Sequence, residues 1–160
     1  MTPRFGIVGR KNAGKTTLVA RLVTELSGRG LRIATVKHAH HSLDFDREGT
    51  DSWKHREAGA VEVALVGANR WAIMHELRGA PEPTLDETIA RMSAADLILI
   101  EGFKGGAHPK IEVRRGAGPL DRRECPNILA VAGDGGRFGV DDVEAIAEFV
   151  LANAAAPIHA

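Results

Sequence analysis

Residues 9–16 read GRKNAGKT and contain the complete GxxxxGK[ST] pattern of a phosphate-binding loop. The glycines of this pattern let the backbone turn and approach anionic oxygens, and the lysine can reach outer phosphates as a point charge. The final hydroxyl can bind Mg²⁺ beside those phosphates. The pattern therefore predicts phosphate chemistry. The predicted contacts are Gly9, Asn12, Ala13, Gly14, Lys15, Thr16 and Thr17, with Lys15 also acting on the reacting phosphate and Thr16 on the metal.

The residues on either side of the loop give the pattern a structural context. An apolar run at 5–8 precedes it, and residues 17–23 have the spacing of an amphipathic helix. A strand that enters the loop and a helix that leaves it direct backbone N–H groups at the phosphates, at the positive end of the helix. The flanks therefore favour phosphate binding over an incidental glycine-rich turn.

A second acidic group suited to Mg²⁺ follows the apolar run at 96–100. In open parallel sheets, ligands bind beyond the carboxyl ends of the strands, so we expect Glu101 and the loop at Gly9 to face one crevice. Glu101 is the predicted metal and catalytic carboxylate, because it can hold Mg²⁺ or orient an attacking water. Asp46 and Asp51, in the polar segment after the second predicted strand, are competing metal ligands.

The segment at 37–52 concentrates histidines and carboxylates. Its first part carries Lys37, His38, His40 and His41. Imidazoles near a phosphate loop can contact a nucleotide or substrate, ligate a transition metal, or simply face solvent. The spacing leaves these alternatives open, because no C-x-x-C or H-E-x-x-H pattern accompanies it. Of the three, we expect a nucleotide or substrate contact.

Apolar runs of strand length alternate with helical patterns along the chain. This alternation predicts an α/β fold, with a mainly parallel P-loop NTPase sheet covered by helices on both faces. An added antiparallel β-hairpin is expected at 61–77, and a mobile surface loop at 115–126. We expect a single nucleotide-binding domain over residues 1–160. The strand-like runs are 5–8, 31–36, 61–66, 71–77, 96–100, 110–113 and 127–132, and helices are expected after the phosphate loop, at 50–58, from 84 to about 92 and from 141 onward.

Composition narrows the classes of partner. Lys plus Arg and Asp plus Glu both number 21, so the formal net charge is zero and no global field draws the chain to nucleic acid or anionic membrane. No apolar run approaches the roughly 20 residues that span a bilayer. The single cysteine, Cys125, excludes an intramolecular disulfide and suits a reducing compartment. We therefore expect a cytoplasmic chain that binds neither nucleic acid nor membrane.

Together these motifs resemble those of the molybdopterin-guanine dinucleotide biosynthesis adapter protein B family, MobB. The resemblance runs from about residue 4 to residue 134 and includes, in order, the phosphate loop, KHAHH, DFDREGTDSWKHREAGA, LILIEGFK and HPKIEV. It implies a GTP-binding protein of the SIMIBI-type P-loop class that hydrolyses GTP slowly and forms a homodimer. Mg²⁺ is the expected metal cofactor. Family members assist the guanylyltransferase that joins GMP to molybdopterin, so that enzyme is the expected partner, with molybdopterin or apo-molybdoenzymes as further candidates.

The resemblance also implies functional positions. Those matching the family's phosphate loop, acidic strand end and second polar segment are Gly9, Gly14, Lys15, Thr16, Thr17, Glu101, Gly102, Lys37, His38, His40, His41, Asp46 and Asp51.

Guanine preference needs a further residue, because a phosphate loop does not contact the base. A carboxylate can accept hydrogen bonds from the imino and amino groups of guanine together, a pair that adenine lacks. The chain has no clear N-K-x-D motif, and the apolar run at 127–132 leads to Asp134. Asp134 is therefore the predicted guanine contact, with capping of the following turn as the alternative.

Two other functions are compatible with the same motifs. In a small-molecule kinase, Glu101 or Asp46 would activate an acceptor hydroxyl, and in a metal-handling GTPase the histidines at 38, 40 and 41 would be ligands. We expect at most weak turnover, because no convincing extra cation accompanies the loop. The hairpin offers an edge for self-association. We expect its Trp71 and Met74 to pack in the core, with a role in self-association as the alternative.

Overall fold

The structure is a computed structural model and describes residues 2–39 and 45–154. Each predicted strand and helix is present in it, with its ends shifted by a few residues. The strands are β1 (Arg4–Gly9), β2 (Ile33–Lys37), β3 (Glu62–Val66), β4 (Trp71–His75), β5 (Leu97–Glu101), β6 (Lys110–Arg114) and β7 (Ile128–Gly133). The helices are α1 (Lys15–Gly28), α2 (Asp51–Glu57), α3 (Leu85–Ala90) and α4 (Val143–Asn153).

The chain divides into two compact units, one formed by residues 1–38 and 88–160 and the other by residues 39–87. One domain over the whole chain stays a prediction. No helix in the described part of the chain is long and apolar enough to cross a membrane.

The first unit contains a five-stranded parallel sheet in the order β2-β5-β1-β6-β7. Its central strands β1 and β5 are buried along their whole length, which explains why they read as near-continuous apolar runs in the sequence. Because all five strands run the same way, their carboxyl ends lie along one edge of the sheet. The phosphate loop begins at that edge, and Glu101 lies there as the last residue of β5, as the sequence predicts.

Helices α1 and α4 pack together against one face of the sheet. Leu22 and Leu26 of α1 are fully buried, as are Ile146 and Val150 of α4, and they share a core with Phe5 of β1. Alternation along β1 turns Val8 to the opposite face, where it packs with Leu120, Cys125 and Ile128. The rigid contact between α1 and the sheet fixes the direction in which the helix leaves the phosphate loop.

The loop at 115–126 differs from the mobile surface loop that the sequence predicts. Leu120 is 9% exposed and Cys125 is 1% exposed, and both belong to the cluster under Val8. The expectation of a surface position is wrong for these two residues, because their side chains pack against one face of the sheet. Cys125 carries a free, buried thiol.

The second unit contains the predicted hairpin. Strands β3 and β4 pair antiparallel, with Val66 opposite Trp71 and Val63 opposite Met74. They form a two-stranded sheet of their own, and within the described residues they do not join the parallel sheet as we expected. Within its own unit, β3 contacts α2 and the side chain of Val63 is buried.

Candidate functional site

The phosphate loop runs from the end of β1 to the start of α1, and its glycines serve different purposes. Gly14 has a φ of 100°, in the left-handed region, where a side chain would be strained. At Gly9 a Cβ would lie 2.5 Å from the carbonyl oxygen of Val113 on β6. Gly9 is therefore required by close strand packing. Asn12 also has a left-handed backbone, with a φ of 62°, and Ala13 is buried beneath the loop.

Lys15 closes the loop on itself. Its ammonium donates a hydrogen bond of 2.8 Å to the carbonyl oxygen of Arg10. Burial lowers the pKa of Lys15, Glu101 acts in the opposite direction, and Lys104 and Lys37 add to the lowering. A side chain held across the loop by one backbone carbonyl can exchange that partner for a phosphate oxygen with little movement of the backbone.

A second polar group forms where α1 meets β5. The Thr16 hydroxyl donates to Glu101 at 2.9 Å, and the ammonium of Lys37 lies 3.4 Å from Glu101 Oε1 and 3.4 Å from Thr16 Oγ1. Strand pairing explains the arrangement, since Glu101 is in register with Ile7 of β1 on one side and with Lys37 of β2 on the other. The predicted approach of Glu101 to the phosphate loop is confirmed by this geometry.

The pair of Thr16 and Glu101 fits Mg²⁺ by its chemistry. Both donors are oxygen atoms, the type that Mg²⁺ prefers, and they lie close enough to share one ion directly or through water. Only one of them carries a charge, which suits an ion that takes its remaining ligands from phosphate and water. In residues 2–39 and 45–154, no group of three or more His, Cys, Asp or Glu side chains is arranged to hold a metal.

His38 lies beside this group and packs against the segment that follows Glu101. Its ring stacks on Phe103 with centroids 4.5 Å apart, and its backbone N–H donates to the Glu101 carbonyl at 2.9 Å. A Cβ on Gly102 would lie 2.9 Å from the Cβ of His38, so glycine is needed there. His38 therefore shapes the end of β5. His40 and His41, predicted to contact nucleotide or metal, lie outside the described residues.

Asp46 has a structural role in the second unit. Its carboxylate accepts hydrogen bonds from Ser52 at 2.7 Å, Thr50 at 3.0 Å and Arg56 at 3.1 Å. Burial alone raises the pKa of Asp46, but these hydrogen bonds outweigh it and hold the pKa below its usual value. Asp51, the other proposed metal ligand, opens α2 with 94% of its side chain exposed and pairs with Lys54 at 3.6 Å.

Asp134 follows β7 and caps a neighbouring loop. Its carboxylate accepts a hydrogen bond of 2.5 Å from the backbone N–H of Gly116, and its own N–H donates to the Arg114 carbonyl at 3.0 Å. Both bonds join the ends of adjacent strands β6 and β7. The side chain therefore caps the loop after β6 instead of the following turn named in the capping alternative, and its contact with guanine stays a prediction.

Sequence reasoning missed the residues that fasten the 115–126 loop to the phosphate loop. The guanidinium of Arg10, inside the phosphate loop, donates to the carbonyls of Gly118 at 3.0 Å and Pro119 at 3.1 Å. Glu112 is 1% exposed on β6 and accepts a hydrogen bond from the Leu120 N–H at 2.9 Å. The two loops therefore form one hydrogen-bonded structure.

Lys110 is the other residue that motif reasoning missed. It is fully buried, and its ammonium donates to the carbonyls of His108 at 3.0 Å, Pro126 at 2.9 Å and Gly106. Burial lowers its pKa. The run PKIEV did contain a sequence signal for this role. A charged residue in a strand buried on both faces needs hydrogen bonds with neighbouring polar groups.

Comparisons with known proteins agree on the family. Residues 5–134 match the family model of MobB, molybdopterin guanine dinucleotide synthesis protein B. The chain belongs to the MobB family. The resemblance seen in the sequence is thus confirmed over most of the chain.

Two curated relatives carry the description "molybdopterin-guanine dinucleotide biosynthesis adapter protein". The relative from Haemophilus influenzae is 42% identical over 116 residues, which is 71% of this chain and 64% of that protein. The Escherichia coli relative is 37% identical over 162 residues, covering 94% of this chain and 93% of that protein. The chain thus spans nearly the whole length of the Escherichia coli relative but less than two thirds of the Haemophilus influenzae relative.

A solved structure also shares the fold. A crystal structure described as molybdopterin-guanine biosynthesis protein B matches with a TM-score of 0.73 at 33% identity, covering 93% of this chain and 97% of that chain. The predicted α/β class, with a parallel sheet and an additional hairpin, is confirmed as the MobB fold.

The hydrogen bonds to Asp46 predict a pH-dependent contribution to stability. The pKa of Asp46 in the folded state lies below its unfolded value of about 3.9. The stability that the ionised carboxylate contributes is therefore present above the unfolded pKa and is lost as the pH falls through the folded pKa. We expect Asp46→Asn to lower the urea midpoint more at pH 7 than at an acidic pH at which the Asp46 carboxylate is protonated in both the folded and the unfolded chain.

Asp51→Asn is the matched control, since the Asp51 side chain is 94% exposed and we expect little change at either pH. An Asp46→Asn difference of the same size at both pH values would contradict the structural role of the ionised Asp46.

Proposed function

We propose that the chain is a GTP-binding adapter in the biosynthesis of the molybdopterin-guanine dinucleotide cofactor, with at most weak GTPase activity. The single observation that carries the proposal is the hydrogen bond between Thr16 and Glu101 at the end of an intact phosphate loop. This places a metal-binding hydroxyl and an acidic strand end together where the phosphates of a nucleotide would bind. Among the residues that the structure describes, no contact favours the kinase or metal-handling alternatives; His40 and His41 lie outside them.

The proposed roles follow from the positions of the groups. The backbone N–H groups of the loop and of the start of α1 bind the phosphates, and Lys15 moves from the Arg10 carbonyl to an outer phosphate oxygen. Thr16 and Glu101 hold Mg²⁺, which neutralises phosphate charge when bound. Lys37 lies 3.4 Å from Glu101 and orients the carboxylate in the nucleotide-free chain.

Slow turnover is consistent with how the nearby arginines are used. A fast phosphoryl-transfer site needs a cation that reaches the transition state, commonly an arginine. Arg10 is bonded to the carbonyls of Gly118 and Pro119, and Arg114 to the buried carboxylate of Glu112. These side chains stabilise loops, so an arginine from a partner is the more effective source of catalytic charge.

The proposed partner is the guanylyltransferase that joins GMP to molybdopterin. The relatives from Haemophilus influenzae and Escherichia coli are described as adapter proteins of this biosynthesis, and an adapter requires an enzyme on which to act. Molybdopterin itself and the apo-molybdoenzymes are further candidate partners, and the cytoplasm is the proposed location. Nucleic acid and membrane are not proposed as partners.

We also propose that the hairpin supports a homodimer. Successive side chains of a strand point to opposite faces, so the pairing of β3 with β4 places four apolar side chains on one face of the hairpin. We name this the apolar hairpin face, and it consists of Ala64, Val66, Trp71 and Ile73. Val66 is 84% exposed, Trp71 64% and Ile73 54%, so the expectation of core packing is wrong for Trp71. A second copy of the chain would bury these side chains, each worth about 1.5–3 kcal/mol when fully removed from water.

The nucleotide proposal is tested by titration calorimetry of the dialysed chain with GTP and ATP, with and without Mg²⁺. We expect Mg²⁺-dependent GTP binding that Lys15→Ala weakens by roughly 10- to 100-fold, the loss expected for a charged hydrogen bond. Lys11→Ala is the matched control, because Lys11 is an exposed lysine of the same loop. Equal affinity of Lys15→Ala and the unmodified chain for GTP would contradict the proposal.

The homodimer is tested by sedimentation velocity. Replacing Trp71 and Ile73 by serine removes two large side chains from the apolar hairpin face, and we expect the dimer to become a monomer. Leu151→Ser, on α4 of the other unit with Leu151 39% exposed, controls for the loss of surface apolarity. A monomeric unmodified chain, or a double variant that still dimerises, would rule out this interface.

A further inference from the structure

A cleft adjoins the phosphate loop within the first unit. It begins at Gly14 and follows the first turns of α1, with a volume of about 380 Å³ including space open to solvent. Its apolar walls are formed by Leu18 of α1, Val113 of β6 and Val140 before α4. The cleft therefore continues directly from the place where phosphates would bind into a space with apolar sides.

The rim of the cleft is charged. Arg21 and Asp141 form an ion pair on one side, and Arg115 and Thr17 contribute polar groups elsewhere. Arg21 is 46% exposed and Asp141 is 79% exposed, so their pairing is weak and can rearrange when another donor approaches. A flat, partly apolar ligand with hydrogen-bond donors on one edge would match both the walls and this carboxylate.

We propose that this cleft receives the nucleobase of the bound nucleotide and that Asp141 is the residue that reads guanine. The inference rests on the proposed GTP-binding function and extends it to base specificity. A carboxylate can accept hydrogen bonds from the guanine imino and amino groups together, whereas adenine presents no such pair of donors. Asp141 lies on the cleft rim, and its ionised carboxylate supplies both acceptors.

This assignment replaces the sequence-based choice of Asp134. The carboxylate of Asp134 is bonded to the Gly116 N–H, and Asp134 does not line the cleft. Both aspartates follow β7, but Asp141 is brought back to α1 by the segment that enters α4, where Arg21 contacts it. Position along the chain after a strand therefore does not distinguish these two acidic residues.

The test compares GTP with xanthosine triphosphate, whose base carries a carbonyl where guanine has the amino group. In Asp141→Asn the new amide can donate to that carbonyl and still accept from the imino group. We expect this variant to lose roughly tenfold or more in GTP affinity and to gain affinity for xanthosine triphosphate. Glu144→Gln, which neutralises an exposed acid in the first turn of α4, is the matched control and should leave both affinities unchanged.

The outcomes separate the base assignment from the nucleotide proposal. If Lys15→Ala does not weaken GTP binding, the phosphate-loop function fails and the base assignment fails with it. If GTP binding depends on Lys15 but Asp141→Asn leaves the ratio of the two affinities unchanged, only the base assignment is overturned. A change of preference in Asp134→Asn but not in Asp141→Asn would overturn it in favour of Asp134.

Discussion

The parallel pairing of β5 between β1 and β2 is the constraint on which the candidate site depends. It brings three carboxyl ends to one edge of the sheet, so that Gly9 starts the phosphate loop beside Glu101 and Lys37. The hydrogen bond from Thr16 to Glu101 then joins the start of α1 to the end of β5. If the register slipped by one residue, Glu101 would point to the other face of the sheet and the group would be lost.

Buried charges on β6 give the surrounding loops their order. At the start of β6, the Lys110 ammonium donates hydrogen bonds to three backbone carbonyls. Two residues later, the Glu112 carboxylate accepts hydrogen bonds from the Leu120 N–H and from Arg114. A buried ion is costly unless its hydrogen bonds are satisfied, so these loops have one favourable arrangement. Arg10 connects the same loop to the phosphate loop. The segments flanking the site are therefore preorganised by these hydrogen bonds.

Much of the fold and part of the site could be predicted from local patterns. The strand, loop and helix at 4–28 follow from one motif with matching flanks, and Glu101 follows from the rule that parallel strands present their ends together. The partners of Asp46, the anchoring of 115–126 and the position of Asp141 could not be predicted in this way. Each depends on contacts between residues far apart in sequence, or on which of several acidic side chains lies next to a hydrogen-bond donor. Such contacts leave no periodic pattern in the sequence.

The measurement that tests the account most directly is a crystal structure of the chain with Mg²⁺ and a non-hydrolysable GTP analogue. We expect Lys15 to leave the Arg10 carbonyl for a phosphate oxygen, and Thr16 and Glu101 to lie at the Mg²⁺, directly or through water. A complex in which Lys15 keeps its bond to Arg10, or in which Mg²⁺ is bound by Asp46 or Asp51 instead, would contradict the proposed site.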